Sequence, residues 1–199
     1  MSRGKNVLDL FSPVGYNKHT YNKGGEGRLQ QQMRKIVENF RLPRYDEIPD
    51  VGLYLEQVAK YISGFCAPLF GESLTPAMIS NYVKKGLIAS PVKKQYGRDH
   101  IAYLLFIAVA KSVLSLNQLQ CMMDMQKKSY DNPTAYNYFC RELENVLLYV
   151  FGAKETLEVV GQSLSDEKVM LRNTIIAAAH RAYLDQYFKL RKEGDGKTK

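Results

Sequence analysis

The chain has 199 residues, 45% of them hydrophobic and 24% charged, with 28 Lys and Arg against 20 Asp and Glu and a formal net charge of +8. This is the composition of a globular protein of one compact domain or two small ones, with 14 Tyr, 8 Phe and many aliphatic side chains for a core, so disorder of the whole chain is excluded. The cationic excess favours phosphate-bearing polymers or an anionic surface as partners, and three Cys (Cys66, Cys121, Cys140) without CxxC spacing exclude a disulfide scaffold and suit a reducing, cytoplasmic setting.

Residues 1–28 are rich in Gly, Asn, Lys and Tyr without periodicity and read as a flexible basic tail, with no secretory signal. Residues 29–49 form a short amphipathic helix, carrying Leu29, Met33, Ile36, Val37 and Phe40, and a connector held extended by Pro43 and Pro49. Asp50 offers an N-cap to a helix through about Gly64 that buries Leu53, Leu55, Val58, Ala59 and Ile62, and Gly64, Pro68 and Gly71 mark a loop. Thr75 before Pro76 is a cap followed by proline at the first helical position, which opens a helix over about 76–85.

At 100° per residue that helix places Met78, Ile79, Tyr82 and Val83 on one side and Ala77, Ser80, Asn81, Lys84 and Lys85 on the other. Gly86 stops it, Leu87 and Ile88 return to the core, and residues 91–98 form a basic loop that a pair of tiny strands can flank. Arg98 to Leu114 is apolar nearly all round and predicts a central helix, and its run Ile101 to Ala110 is too short to span a membrane, so no membrane partner is expected. Ser115 caps the next helix. Asn132-Pro133 repeats the cap-plus-proline signature for a helix with Tyr136, Phe139, Leu143, Val146, Leu147 and Val150, closed by Gly152. A last helix runs over about Ser165 to Arg191 through Val169, Ile175, Ile176, Ala179, Ala182, Tyr183 and Tyr187, and 192–199 is expected to be a disordered tail.

A capped helix with one polar, cationic face, a glycine stop and a Pro-Lys-Lys loop has the layout of a DNA reader. Asn81 suits bidentate contact with adenine, Ser80 bonds to several base edges, and the Ala77 methyl meets thymine. Lys84, Lys85, Lys93, Lys94 and Arg98 supply phosphate contacts that position without selecting sequence, and Thr75 and Tyr96 complete the DNA-binding set.

Thr75-Pro-Ala-Met-Ile-Ser-Asn-Tyr-Val-Lys-Lys-Gly-Leu-Ile88, the basic segment ending at Tyr96, Asp99-His-Ile-Ala-Tyr-Leu-Leu-Phe-Ile107 and Leu116-Asn-Gln-Leu119 together resemble the winged helix-turn-helix head of MerR-type transcription regulators. Leu42-Pro-Arg-Tyr-Asp-Glu-Ile-Pro-Asp50 with Leu53-Tyr-Leu-Glu-Gln-Val58 is similar to the opening of the bacterial domain-of-unknown-function family 1836, whose members carry such a head. The resemblance implies an all-α fold: a winged helix-turn-helix domain over 50–124 that binds double-stranded DNA, and a helical region over 125–191 that pairs subunits into a homodimer or senses an unidentified small-molecule effector. The corresponding Arg-Tyr-Tyr of many MerR-type readers is here Ser80-Asn81-Tyr82, so the operator should differ, and Ser63 to Leu74 lengthens the turn inside the motif.

Bland readings account for the remaining features. Cys121 and Cys140 read as buried thiols, since His19, His100 and His180 are far apart and no ligand cluster forms; no metal or cofactor is expected. Gly194-Asp-Gly-Lys-Thr198 lacks the first glycine and the preceding strand of a phosphate loop, no nucleophile motif occurs, and Asp46, Glu47, Asp166 and Glu167 suit helix starts, so no catalysis is expected. Tyr136, Tyr138, Phe139 and Tyr149 read as interhelical packing ahead of an apolar effector pocket. The competing expectation is a protein-interaction module that keeps the head as scaffold and presents apolar side chains of Tyr136 to Val150 to a partner.

Overall fold

The computed structural model describes residues 26–71, 74–158, 160 and 165–195. Within them the protein is all-α: α1 (Glu26–Glu38), a 3₁₀ turn (Tyr45–Glu47), α2 (Leu55–Phe70), α3 (Pro76–Lys84), α4 (Arg98–Ala110), α5 (Leu116–Ser129), α6 (Asn132–Val150) and α7 (Asp166–Asp195). The basic tail expected over 1–28 lies outside the described residues as far as residue 25, and Gly27 and Arg28 are already helical.

One hydrophobic core extends from Met33 in α1 to Ala182 in α7. Its centre is α4, where Ile101, Leu104, Leu105, Ile107 and Ala110 are all buried because apolar residues occupy nearly the whole circumference, as the sequence predicts. α7 packs on α1, α2, α4, α5 and α6, so no seam separates the region before Asp124 from the region after it; Asp124 itself falls inside α5. α6 and α7 are further pinned by Glu142, fully buried, whose carboxylate lies 3.2 Å from the Arg172 guanidinium. Burial holds the Glu142 carboxyl above its ordinary range despite that cation.

Several boundaries differ from expectation. Asp50 does not cap α2. Leu53 instead pairs its backbone with Tyr96 (N···O 3.0 and 2.8 Å), which holds the chain extended, and the helix starts after Tyr54, whose N–H donates to Gln57 Oε1 at 2.9 Å. α2 then runs past Gly64 to Phe70 with Pro68 inside it, so most of the expected loop is helix. The missing N–H of Pro68 leaves the Gly64 carbonyl without its helical donor, but Gly64 is exposed to water, and Ile62, Cys66 and Leu69 keep the helix on the core. The last-turn carbonyls of Pro68 and Leu69 each accept a hydrogen bond from Gln186 Nε2 of α7 at 3.0 Å.

At α6 the cap is Asp131, one residue before the expected Asn132; its carboxylate accepts from the Thr134 N–H at 2.8 Å, and an anion at a helix N-terminus is the stronger choice. Ser115 caps α5 as expected, with Gln118 completing the reciprocal pair. Tyr136, Phe139, Leu143, Val146 and Leu147 face the core, which removes them as the exposed partner surface of the interaction-module reading. The exposed apolar side chains of the distal region are on α7 instead: Val169 and Met170 near its start, Leu184 and Phe188 further along. α7 also continues to Asp195, where a disordered tail is expected from 192; residues 196–199 lie outside the described residues.

Candidate nucleic-acid interface

The helix α3 is defined at both ends by its own residues. The Thr75 hydroxyl accepts the Met78 N–H at 3.2 Å, Pro76 occupies the first turn where no donor is needed, and the chain leaves through Gly86 at φ 72°. Gly86 N–H reaches Val83 O at 2.9 Å and Leu87 N–H reaches Tyr82 O at 2.9 Å, the paired bonds of a Schellman stop. Leu87 and Ile88 then bury themselves, so the helix is fixed at its exit as well as along its inner side, where Ile79 and Tyr82 enter the core.

That anchoring turns the other side outward: Ala77, Ser80, Asn81, Lys84 and Lys85 are all exposed. The Asn81 backbone carbonyl accepts the Lys85 N–H, and the Asn81 side-chain amide is left at the surface. Lys84 and Lys85 also sit where a cation suits the carbonyl end of a helix, a structural use compatible with phosphate contact.

The basic loop is a two-residue hairpin. Val92 and Gln95 exchange backbone hydrogen bonds of 3.1 and 2.8 Å, and the turn between them is Lys93 and Lys94, at φ 49° and 65°. Two left-handed residues in succession match a type I′ turn, normally built from Asn-Gly, so two lysines at its tip carry backbone strain for which the local packing offers no use. Both lysines are exposed. The hairpin is seated on Gly52, where a Cβ would lie 2.6 Å from Gln95 Cβ.

Two members of the expected DNA-binding set are drawn inward. Tyr96 is 4% exposed; besides its pairing with Leu53 its ring packs edge-on against His100, whose Nδ1 accepts the Gly97 N–H at 3.1 Å. Arg98 donates from Nε to Ile48 O at 3.0 Å, lies 3.8 Å from the Asp50 carboxylate and stacks 5.6 Å from the Tyr45 ring centroid, so it braces the base of the hairpin. Thr75 is exposed, with its hydroxyl oxygen engaged as the cap.

Sequence reading missed three exposed apolar side chains around the hairpin: Val51 at 71%, Tyr54 at 55% and Val92 at 72% exposure. Placing a helix cap at Asp50 assigned Val51 and Tyr54 to a helix start and hid them; the repeated Val-Gly and Val-Lys-Lys steps gave no period to correct it. The cysteines divide differently from expectation. Cys66 and Cys140 are buried, and burial pushes their thiols up to about 12 and about 11, which leaves them protonated and inert at neutral pH. Cys121 is exposed on α5. Among the described residues no three His, Cys, Asp or Glu side chains gather to hold a metal, and no helix is long and apolar enough to cross a membrane.

Residues 43–139 match the model of a domain of unknown function (DUF1836). The matched stretch takes in the Pro-bounded connector, α2 to α5 and the first turns of α6, and so the whole of the surface described above. Neither the curated proteins nor the solved structures include a match to this chain.

Proposed function

We propose that the protein is a sequence-specific DNA-binding transcription regulator of the MerR-like winged helix-turn-helix type, acting in the bacterial cytoplasm. α3 enters the major groove with Ala77, Ser80 and Asn81 at base edges, and Lys84, Lys85, Lys93 and Lys94 contact phosphates. The observation that carries the reading is the outward face of α3, polar and cationic from Ala77 to Lys85, set on a rigidly capped helix and followed at once by a hairpin whose tip is two lysines. Tyr96 and Arg98 serve this surface from behind by holding the hairpin. A homodimer is part of the proposal, because paired heads reading two half-sites raise affinity and specificity together; Leu184 at 50% and Phe188 at 59% exposure, one turn apart on α7, are exposed apolar residues that suit its seam.

Selection of bound fragments from random duplex DNA, repeated at two salt concentrations, tests the reading. A recovered motif with affinity falling steeply with salt is expected. Lys84→Ala should weaken every sequence alike, while Asn81→Ala should relax preference at one or two positions and cost about 1–3 kcal/mol on the preferred site only. Equal loss on all sequences for Asn81→Ala removes it as a base reader, and failure to enrich any motif sinks the proposal.

A further inference from the structure

The first turns of α6 and α7, with α4 and α5, surround a hollow of about 330 Å³ that is about half open to solvent. Its walls are aromatic rings and thioethers, chiefly Phe106 of α4, Met122 and Met125 of α5, Tyr138 and Phe139 of α6, and Met170 of α7. Of the four aromatic residues that the sequence assigns to interhelical packing, Tyr136, Tyr138 and Phe139 line it and Tyr149 does not. Its volume lies at the lower end of small-molecule sites. A bicyclic or tricyclic body fits with one face on the rings and its far edge in water, and flexible methionines let the wall adapt to it.

Charge at the rim is already engaged. The Lys168 ammonium lies 5.5 Å from the ring centroid of Tyr138 and 5.7 Å from that of Tyr130 and has its own partner. Glu167, next to it in the chain, stays charged, its carboxyl held below the ordinary range by the hydroxyls of Ser165 and Ser129. Arg141 is exposed to water. The rim therefore presents both signs and no lone charge in a dry setting.

Hydrogen bonding in one corner of the wall is, by contrast, incomplete. The Tyr103 hydroxyl lies 2.5 Å from Asn132 Oδ1 and 3.0 Å from Gln126 Oε1. Gln126 keeps that orientation because its Nε2 donates to Tyr130 O at 2.8 Å. A phenol has a single proton, so it serves one of the two carbonyls and the other receives no donor from the protein. Turning the Asn132 amide over, so that its NH₂ donates to Tyr103 and Tyr103 to Gln126, only transfers the unfilled acceptor to the Asn132 oxygen. Tyr103, Gln126 and Asn132 all line the hollow, so in either arrangement an amide oxygen beside apolar rings is left to accept from water or from a ligand.

We infer that this hollow is a binding site for an uncharged aromatic molecule with one hydrogen-bond donor, of the phenol, indole or arylamine class. Its rings lie among Phe106, Phe139 and the methionines, and its O–H or N–H fills the acceptor left at Gln126 and Asn132. The occupant touches α4 and α5 on one wall and α7 on another, so it bridges the stretch matched to the family model and the helix beyond it. The site stands on its own geometry whether or not the chain reads DNA, so each proposal is tested without the other.

The test is titration calorimetry on the intact protein at neutral pH with three probes built on one ring system: 2-naphthol, 2-methoxynaphthalene, which lacks the donor, and 2-naphthoate, which carries a charge. 2-Naphthol should bind saturably at one site per chain, and 2-naphthoate about fivefold more weakly, because its charge must leave water. Ala135→Leu, which grows a side chain into the hollow, should weaken 2-naphthol and 2-methoxynaphthalene alike, by at least about tenfold. Met125→Phe fills the same space from α5 and gives the second reading if Ala135→Leu folds poorly. Asn132→Ala leaves Tyr103 and Gln126 matched, one proton to one carbonyl, so the preference for 2-naphthol over 2-methoxynaphthalene should fall about fivefold. Asn132→Asp, which offers oxygens only, should keep that preference. Val51→Ser, exposed and outside the hollow, should alter no probe. Absence of saturable binding below about 1 mM overturns the site and leaves the hollow to side chains of another chain. Binding that survives both filling variants, or equal loss with Val51→Ser, also overturns it. A preference unchanged in Asn132→Ala overturns the donor, and 2-naphthoate binding as tightly as 2-naphthol overturns the uncharged ligand.

Discussion

The turn at the tip of the hairpin permits a prediction in which stability and binding move in opposite directions. Lys93 and Lys94 occupy φ 49° and 65°, and each non-glycine residue in that region costs on the order of 1–2 kcal/mol. Replacing the pair by Asn-Gly gives the turn the residues its geometry prefers. Glycine at 94 relieves its strain fully but frees the unfolded chain by about 0.4–1 kcal/mol, and asparagine at 93 relieves only part, so the net gain is about 1 kcal/mol. In a chain of 199 residues that is a rise of about 2–4 °C in melting temperature. If the two lysines contact phosphates as proposed, the same change removes both contacts, and the slope of log K against log salt on duplex DNA should become shallower by about 1.8. Lys93→Ala with Lys94→Ala is the control: it loses the same charge and should give the same salt slope, but without the stability gain. Thermal unfolding followed by circular dichroism and fluorescence anisotropy over a salt series read the two effects separately. A melting temperature that does not rise refutes the strained turn; an unchanged salt slope refutes the lysines as phosphate contacts.

Three further outcomes follow from packing and charge. Gly52→Ala puts a methyl 2.6 Å from Gln95 Cβ, so the hairpin must lift; a loss of about 1–3 kcal/mol in urea unfolding is expected, with weaker DNA binding. Gln186→Ala leaves the carbonyls of Pro68 and Leu69 without their donor and should cost about 1–3 kcal/mol, with amide exchange accelerating in the last turn of α2 before other segments. Burial raises the Glu142 carboxyl above its unfolded value, so the fold binds this proton more tightly than the unfolded chain does. Its contribution is greatest below the ordinary carboxylate range and is lost as pH rises through the raised folded value, and the stability of wild type relative to Glu142→Gln should fall over that window in a series of melting curves.

Much of the surface around α3 was legible in the chain because it is written locally. Thr75-Pro76, the Gly86 stop and the Ser115/Gln118 pair are signals satisfied within a turn of the residues that make them, and the structure uses each. The larger misplacements involve partners distant in sequence. Asp50 lost its capping role because Leu53, three residues on, is claimed by Tyr96; Pro68 stayed helical because Ile62, Cys66 and Leu69 are held in the core and Gln186 satisfies the helix end. Tyr96 resembled an exposed wing residue until its ring had somewhere to go, against His100.

The Gln186 clasp has a consequence for how the chain is divided. The stretch matched to the family model ends at Phe139, yet α2 within it is sealed along Ile62, Cys66 and Leu69 by a core to which α7 contributes, and its Pro68 and Leu69 carbonyls accept hydrogen bonds from that helix. Severed there, the remaining fragment would bare an oily flank and a frayed stub beside the very module that carries the lysine-tipped turn. The distal helix thus acts as the keel of that module, and displacement along it would be felt at the helix that precedes α3.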